Sequence, residues 1–165
     1  MRNNIIARVI FFILSLCTLV AIFIFSSQDG VQSKTVSKNV TREIVDINPK
    51  TKDLRENEKH KIVEKSQPFI RKTAHFTIYM LFGIMFMGFC STYDAKWNKR
   101  LVITVLCGLI YAISDEIHQA ITGGGRTPRI FDVCIDTIGT LTGSFIMLGL
   151  VHLVKCNKTV SQKIS

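Results

Sequence analysis

Four long apolar blocks dominate this chain of 165 residues and limit what it can fold into. The first block, Val9 to Phe25, has 17 consecutive residues without a charge. The blocks that begin near Thr73, Leu101 and Val133 are of similar length and contain few ionisable side chains. A helix needs about 20 residues to cross the hydrocarbon core of a bilayer. None of the blocks keeps the polar stripe of a soluble amphipathic helix, so they predict four membrane-spanning helices.

The predicted fold is therefore all-α: a polytopic membrane protein with four transmembrane helices in an antiparallel bundle, built as one domain over residues 1–165. The spans are expected at about 5–26, 73–92, 101–121 and 131–154, with a long amphipathic surface loop over 27–72.

The long loop contains its own helical signals. Apolar residues recur with helical spacing at Val36, Val40, Ile44 and Ile47, which predicts an amphipathic helix on the bilayer surface. A plain solvated linker is the alternative interpretation. Pro49 ends this helix, and a second, polar helix is expected from Lys52 to Lys65.

Charge indicates partners and orientation. A net charge of +9 suits nucleic acid in a soluble protein, but no nucleic-acid motif occurs, and basic loops suit anionic lipid surfaces. With four spans, the termini share one side with loop 93–100, and that side carries eight basic residues against Asp94. Segment 26–72 carries eleven basic residues but also seven acids, mostly far from a span end. We therefore expect a multi-pass protein of the cytoplasmic membrane with cytoplasmic termini, lipid partners and no nucleic acid.

Polar and charged side chains concentrate at one end of the predicted bundle. In an up-and-down topology, the start of helix two, the end of helix three and the start of helix four meet at the same membrane face. Charges near a bilayer are costly unless they are paired or hydrated, so their clustering there predicts a ligand-binding pocket. The predicted ligand-binding residues are Arg71, Lys72, His75, Tyr79, Asp115, Glu116, His118, Gln119, Arg126, Asp132 and Asp136.

Three of these residues are candidate catalytic groups. Asp115 and His118 share a helical face, which suits an acid–base pair, and Asp136 lies inside the fourth apolar block. A structural role is the alternative for the residues nearer the helix ends, which can pair with each other or with a helix dipole. This alternative applies to Lys72, Glu116, Arg129 and Asp132.

The same residues offer ligands for a divalent metal. Carboxylates and imidazoles are present in Asp115, His118, Asp132 and Asp136, together with His75. The run Asp115-Glu116-x-His118-Gln119 matches no established metal motif, so the sequence by itself identifies no cofactor. A divalent metal stays an open possibility.

Gly139 and Gly143 form a small-xxx-small surface on helix four. Such a surface lets a second helix approach closely. The second helix could belong to the same chain or to another copy, so an oligomer through these two glycines is one expectation.

Taken in order, these motifs resemble the VanZ-like family of bacterial membrane proteins. The resemblance covers about Ile10 to Leu150. It rests on Phe25-Ser-Ser-Gln28, Arg71-Lys72-x-x-His75-Phe76-x-x-Tyr79, Ser114-Asp115-Glu116-x-His118-Gln119, Gly125-Arg126 and Asp132-x-x-x-Asp136-x-x-Gly139-x-x-x-Gly143. Gly123 and Gly124 stand where the family often has a proline-containing turn.

The resemblance implies a function in the cell envelope. The founding member of the family is linked to resistance to teicoplanin, a glycopeptide with a lipid tail. We therefore expect a polar pocket at the outer membrane face that lowers susceptibility to lipoglycopeptides, with lipid-linked envelope intermediates or the lipoglycopeptide itself as partners. The alternative is a membrane-embedded hydrolase or transferase that acts on a lipid-linked envelope substrate. A small transporter is a weaker third reading, because the chain shows no inverted repeat.

Overall fold

The computed structural model describes the backbone of residues 2–27, 30–122 and 128–164, and the side chains of residues 5–27, 35, 38–121 and 128–154. Five α-helices account for most of this part of the chain. They are α1 (Arg2–Ser26), α2 (Gly30–Ile47), α3 (Glu56–Ser91), α4 (Trp97–Thr122) and α5 (Ile130–Ile164).

Four of the helices are long and apolar enough to cross a membrane, which confirms the predicted all-α polytopic fold. The candidate spans are Ile5–Ser26, Glu56–Ser91, Trp97–Ile121 and Ile130–Val154. Their outward faces are apolar. Only Ser15, Ile22 and Ser26 are buried among the described side chains of α1, for example. Lipid is as apolar as these side chains, so exposing them on the outside of the bundle costs little.

The start of α3 differs from the prediction. The span was expected to begin near residue 73, and Lys52 to Lys65 was expected to form a separate helix, whereas α3 runs unbroken from Glu56 to Ser91. The Glu58 carboxylate accepts a hydrogen bond of 3.2 Å from the Arg55 backbone N–H, which stabilises this early start. At 36 residues, α3 is about 54 Å long and exceeds the hydrocarbon core of about 30 Å. Pro68 lies inside the helix and lacks the amide hydrogen for the usual bond to the preceding turn.

The predicted amphipathic helix exists as α2, and it packs on the first part of α3. Thr41 and Val45 of α2 and Val63 of α3 are buried in this contact. Charged pairs flank it, including Lys59 Nζ to Asp46 Oδ1 at 2.8 Å.

The apolar stripe that indicated α2 faces away from α3. Val40, Ile44 and Ile47 are 44 %, 48 % and 77 % exposed. A different face of α2 holds the helix to the protein, the side chain of Val36 lies outside the described residues, and contact of the stripe with the bilayer surface stays a prediction.

The Asp46–Lys59 pair gives a prediction for the pH dependence of this contact. The hydrogen bond from Lys59 holds the pKa of Asp46 below the ordinary value of an aspartate. A lowered folded-state pKa means that the pair stabilises the contact above the unfolded pKa and that this stability is lost as pH falls through the folded pKa. We expect Lys59→Met to raise the pKa of Asp46, as measured by carboxyl NMR titration. The control is Lys61→Met, on the exposed side of α3. Identical Asp46 titrations in both variants would contradict the assignment.

Close contact between α3 and α5 forms the centre of the bundle. A Cβ atom added to Gly139 would lie 2.6 Å from the backbone oxygen of Phe76, and one added to Gly143 would overlap the backbone oxygen of Met80. The small surface predicted from Gly139 and Gly143 thus packs against α3 of the same chain. It is occupied within the chain, and an oligomer stays a prediction.

The two ends of the bundle differ in character. At one end, Arg8 of α1 donates a 3.2 Å hydrogen bond to the Thr92 hydroxyl and lies over the Tyr93 ring. These are ordinary flanking contacts of a membrane helix. The opposite end collects the buried acids, His75, His118, Arg71 and Lys72.

Candidate functional site

The antiparallel order brings the end of α1, the middle of α3, the end of α4 and the start of α5 to one place. The Tyr111 hydroxyl of α4 donates a 2.7 Å hydrogen bond to the Leu19 carbonyl of α1, which joins those two helices just below the site. A cavity of about 30 Å³ lies between α3, α4 and α5. Seven of the predicted residues line it together with Ile135: Arg71, Lys72, His75, Glu116, Gln119, Asp132 and Asp136.

The deepest part of the site is a cluster of three residues from three helices, His75 of α3, Asp115 of α4 and Asp136 of α5. One ligand atom from each lies within 4.8 Å of the other two. His75 Nδ1 is 4.0 Å from Asp136 Oδ2. Asp115 is only 6 % exposed and Asp136 only 2 % exposed. We call this group the His75–Asp115–Asp136 cluster.

One further contact fixes Asp115. The Gln119 side-chain amide, one helical turn along α4, donates a 2.9 Å hydrogen bond to Asp115 Oδ2. This bond holds one oxygen of the Asp115 carboxylate in place. Gln119 is therefore a positioning residue for Asp115.

Several buried oxygens near the cluster have no hydrogen-bond partner among the described residues. They include Asp136 Oδ1 and the Tyr79 hydroxyl, and Tyr79 is fully buried. A buried polar atom without a partner costs about 1–3 kcal/mol. Asp115 and Asp136 also lie close enough to Tyr79 to interact electrostatically with its hydroxyl. These two oxygens are therefore placed to accept a hydrogen bond or to bind a cation beside His75 and Asp115.

The composition of the cluster fits a divalent cation. It offers an imidazole nitrogen and carboxylate oxygens, which are ligands that Mn²⁺ and Zn²⁺ accept. The cavity is larger than the 10–15 Å³ or so needed for one water molecule, so it has room for an ion and a water. Among the described lining residues and Asp115, four acids face the two cations Arg71 and Lys72. This balance also favours a bound cation.

The polar residues nearer the surface hold the helices together. Lys72 Nζ lies 2.8 Å from Asp132 Oδ1, which joins α3 to α5, and it also lies over the Phe131 ring. Glu116 Oε2 accepts a 2.9 Å hydrogen bond from the Arg129 backbone N–H at the start of α5. The structural role considered for these residues is therefore present, although Lys72, Glu116 and Asp132 also line the cavity.

The structure places His118 on the α1 side of α4. Its Nε2 lies 3.1 Å from the Ser27 hydroxyl, and its ring stacks on Phe23 at 4.9 Å. His118 does not line the described cavity, whereas His75 does. Its catalytic role stays a prediction, and His75 is the histidine that the structure brings to both aspartates. Arg126 lies in 123–127, outside the described residues.

Sequence reasoning did not identify all the residues that shape this end of the bundle. Ser27, Phe23 and Ile135 were not among the predicted ligand-binding residues, although each contacts His118 or lines the cavity. The motif Phe25-Ser-Ser-Gln28 could have indicated that Ser27 belongs to the site. An apolar side chain such as Ile135 gives no comparable signal among so many others.

A family model described as VanZ/LLP1 matches residues 11–153, which includes the whole cluster and all of the cavity lining. No curated protein and no solved structure gives a significant match.

Proposed function

Because the chain belongs to the VanZ/LLP1 family, we propose that it is a multi-pass protein of the VanZ type whose cavity binds the phosphate headgroup of an envelope lipid. The observation that carries the proposal is the His75–Asp115–Asp136 cluster beneath Arg71 and Lys72. A cation in the cluster and the two basic side chains above it would together bind phosphate oxygens. Sequestering or altering such a lipid would lower susceptibility to lipoglycopeptides such as teicoplanin.

The proposal includes location and orientation. The site lies at the membrane face opposite to Arg8, Tyr93 and the basic loop 93–100. With cytoplasmic termini in the cytoplasmic membrane, the cavity opens at the outer face, where envelope lipids carry their finished headgroups.

A binding experiment tests the headgroup site. We expect purified protein in phosphatidylcholine nanodiscs to bind a polyprenyl phosphate and not the corresponding alcohol. Arg71→Gln should weaken binding about tenfold, because it removes a charged hydrogen-bond donor. Lys96→Gln is the control, since Lys96 is an exposed base at the opposite face. Equal affinity in Arg71→Gln and the unmodified protein would exclude this site.

The same variants connect binding to resistance. A sensitive Gram-positive host that makes the protein should become less susceptible to teicoplanin but not to vancomycin, and Arg71→Gln should lose the effect at matched membrane levels. If Arg71→Gln protects the host as well as the unmodified protein does, resistance does not depend on the cavity.

An enzymatic function is the second candidate, because the cluster has the donors of a hydrolytic metal site. A divalent cation held there would supply charge neutralisation for a phosphoryl group. Arg71 and Lys72 would hold and orient the phosphate. The reaction would be hydrolysis or transfer at the phosphate of a lipid-linked substrate.

A further inference from the structure

A second, larger cavity lies beside the polar one, between α4 and α5. It has a volume of about 290 Å³, close to the lower end of the range for ligand pockets. Its apolar walls are Ile113, Ile117, Pro128, Ile130 and Val133. We call it the α4–α5 groove. All but Pro128 lie within candidate spans, and Ile113, Ile117 and Ile130 are exposed on the outside of the bundle, so the groove faces the hydrocarbon of the bilayer.

The groove and the polar cavity share one wall. Glu116 lines both of them. Its carboxylate is held by the 2.9 Å hydrogen bond from the Arg129 backbone N–H, and the exposed Arg129 also lines the groove. An apolar groove thus lies directly beside a polar cavity that carries Arg71 and Lys72, with Glu116 between them.

The chemistry of the two adjoining spaces identifies the occupant. A groove within the hydrocarbon region is filled by a hydrocarbon chain, because no other apolar molecule is abundant there. The basic residues Arg71, Lys72 and Arg129 complement a negative headgroup. One amphipathic molecule has both parts: an anionic lipid.

We propose that the α4–α5 groove holds the hydrocarbon chain of the lipid whose phosphate binds the polar cavity, and that this lipid enters sideways from the bilayer between α4 and α5. The inference rests on the proposed headgroup site and adds the route and the chain-binding surface. Glu116 then stands at the junction between headgroup and chain.

Photocrosslinking tests the groove separately from the headgroup site. The probe is a polyprenyl phosphate with a diazirine in its chain, near the phosphate, in phosphatidylcholine nanodiscs, and the labelled residues are mapped by mass spectrometry. We expect label to concentrate on residues 113–121 and 128–133. Ile117→Trp, which fills the groove, should reduce this label roughly tenfold, since it removes the burial of about two methylene groups.

Matched controls separate the outcomes. Ile103→Trp lies on the same helix near its other end and is similarly exposed, so it should leave the labelling unchanged. Should Ile117→Trp fail to fold, Ile113→Trp fills the same groove. Groove label that persists in Arg71→Gln would support the chain site while contradicting the headgroup site. Label spread equally over the exposed residues of α1, or unaffected by either groove variant, would overturn the proposal.

Discussion

Replacing Asp136 by asparagine is expected to reduce Mn²⁺ affinity about 100-fold or more. Asp136 is 2 % exposed, lies in the His75–Asp115–Asp136 cluster, and has one oxygen without a hydrogen-bond partner among the described residues. Loss of a direct carboxylate ligand exceeds the 10–100-fold effect that is typical of changing an outer residue. The measurement is titration of detergent-purified protein with Mn²⁺, followed by electron paramagnetic resonance or calorimetry.

The control is Asp132→Asn. Asp132 lines the same cavity but pairs with Lys72 and does not belong to the cluster. It should retain most of the Mn²⁺ affinity, which would distinguish a built site from a general excess of negative charge. Absence of Mn²⁺ binding in the unmodified protein, or equal losses in both variants, would remove the metal site and with it the main support for the enzymatic candidate.

The second large effect concerns stability. Gly143→Ala should lower the free energy of unfolding by about 2 kcal/mol or more, because the new Cβ atom would overlap the Met80 backbone oxygen and force α3 and α5 apart. The measurement is unfolding in sodium dodecyl sulfate, followed by circular dichroism.

Gly149 offers a matched control on the same helix. A Cβ atom added at Gly149 meets no atom within 4 Å. Gly149→Ala should therefore leave stability unchanged or increase it by about 0.5–1 kcal/mol, through the better helix propensity of alanine. Changes of the same sign and size at Gly143 and Gly149 would show that the α3–α5 contact does not depend on the glycine.

The sequence predicted the four spans well because a membrane-spanning helix requires a long run of apolar residues. An uncharged run such as Val9 to Phe25 has few alternative structures. The sequence was less informative about the start of α3. The stretch 52–65 is polar, so nothing in it indicates that it belongs to the same helix as the apolar block that follows. The early part of α3 packs on α2, where Val63 is buried with Thr41 and Val45. Val63 is about 20 residues from the other two, so no local pattern shows this contact.

The sequence predicted at which membrane face the site lies, but not which of its residues contact each other. Helical spacing grouped Asp115 with His118, because the two are three residues apart. His118 interacts electrostatically with Asp115, but its ring packs on Phe23 and lies beside Ser27 of α1, while Asp115 also lies with His75 and Asp136. The rotation of α4 is set by packing around Tyr79, Phe82 and Ala112, and no local pattern encodes it.

The unbroken course of α3 has a mechanical consequence. Pro68 removes one hydrogen bond from the helix and is the natural point for bending. Glu56 lies twelve residues before it, a distance of about 18 Å, and His75 lies seven residues after it, about 10 Å away. A change of about 10° at Pro68 would displace one arm by about 3 Å at its tip relative to the other. Bending at Pro68 would therefore shift the start of α3, on which α2 packs, relative to the His75–Asp115–Asp136 cluster.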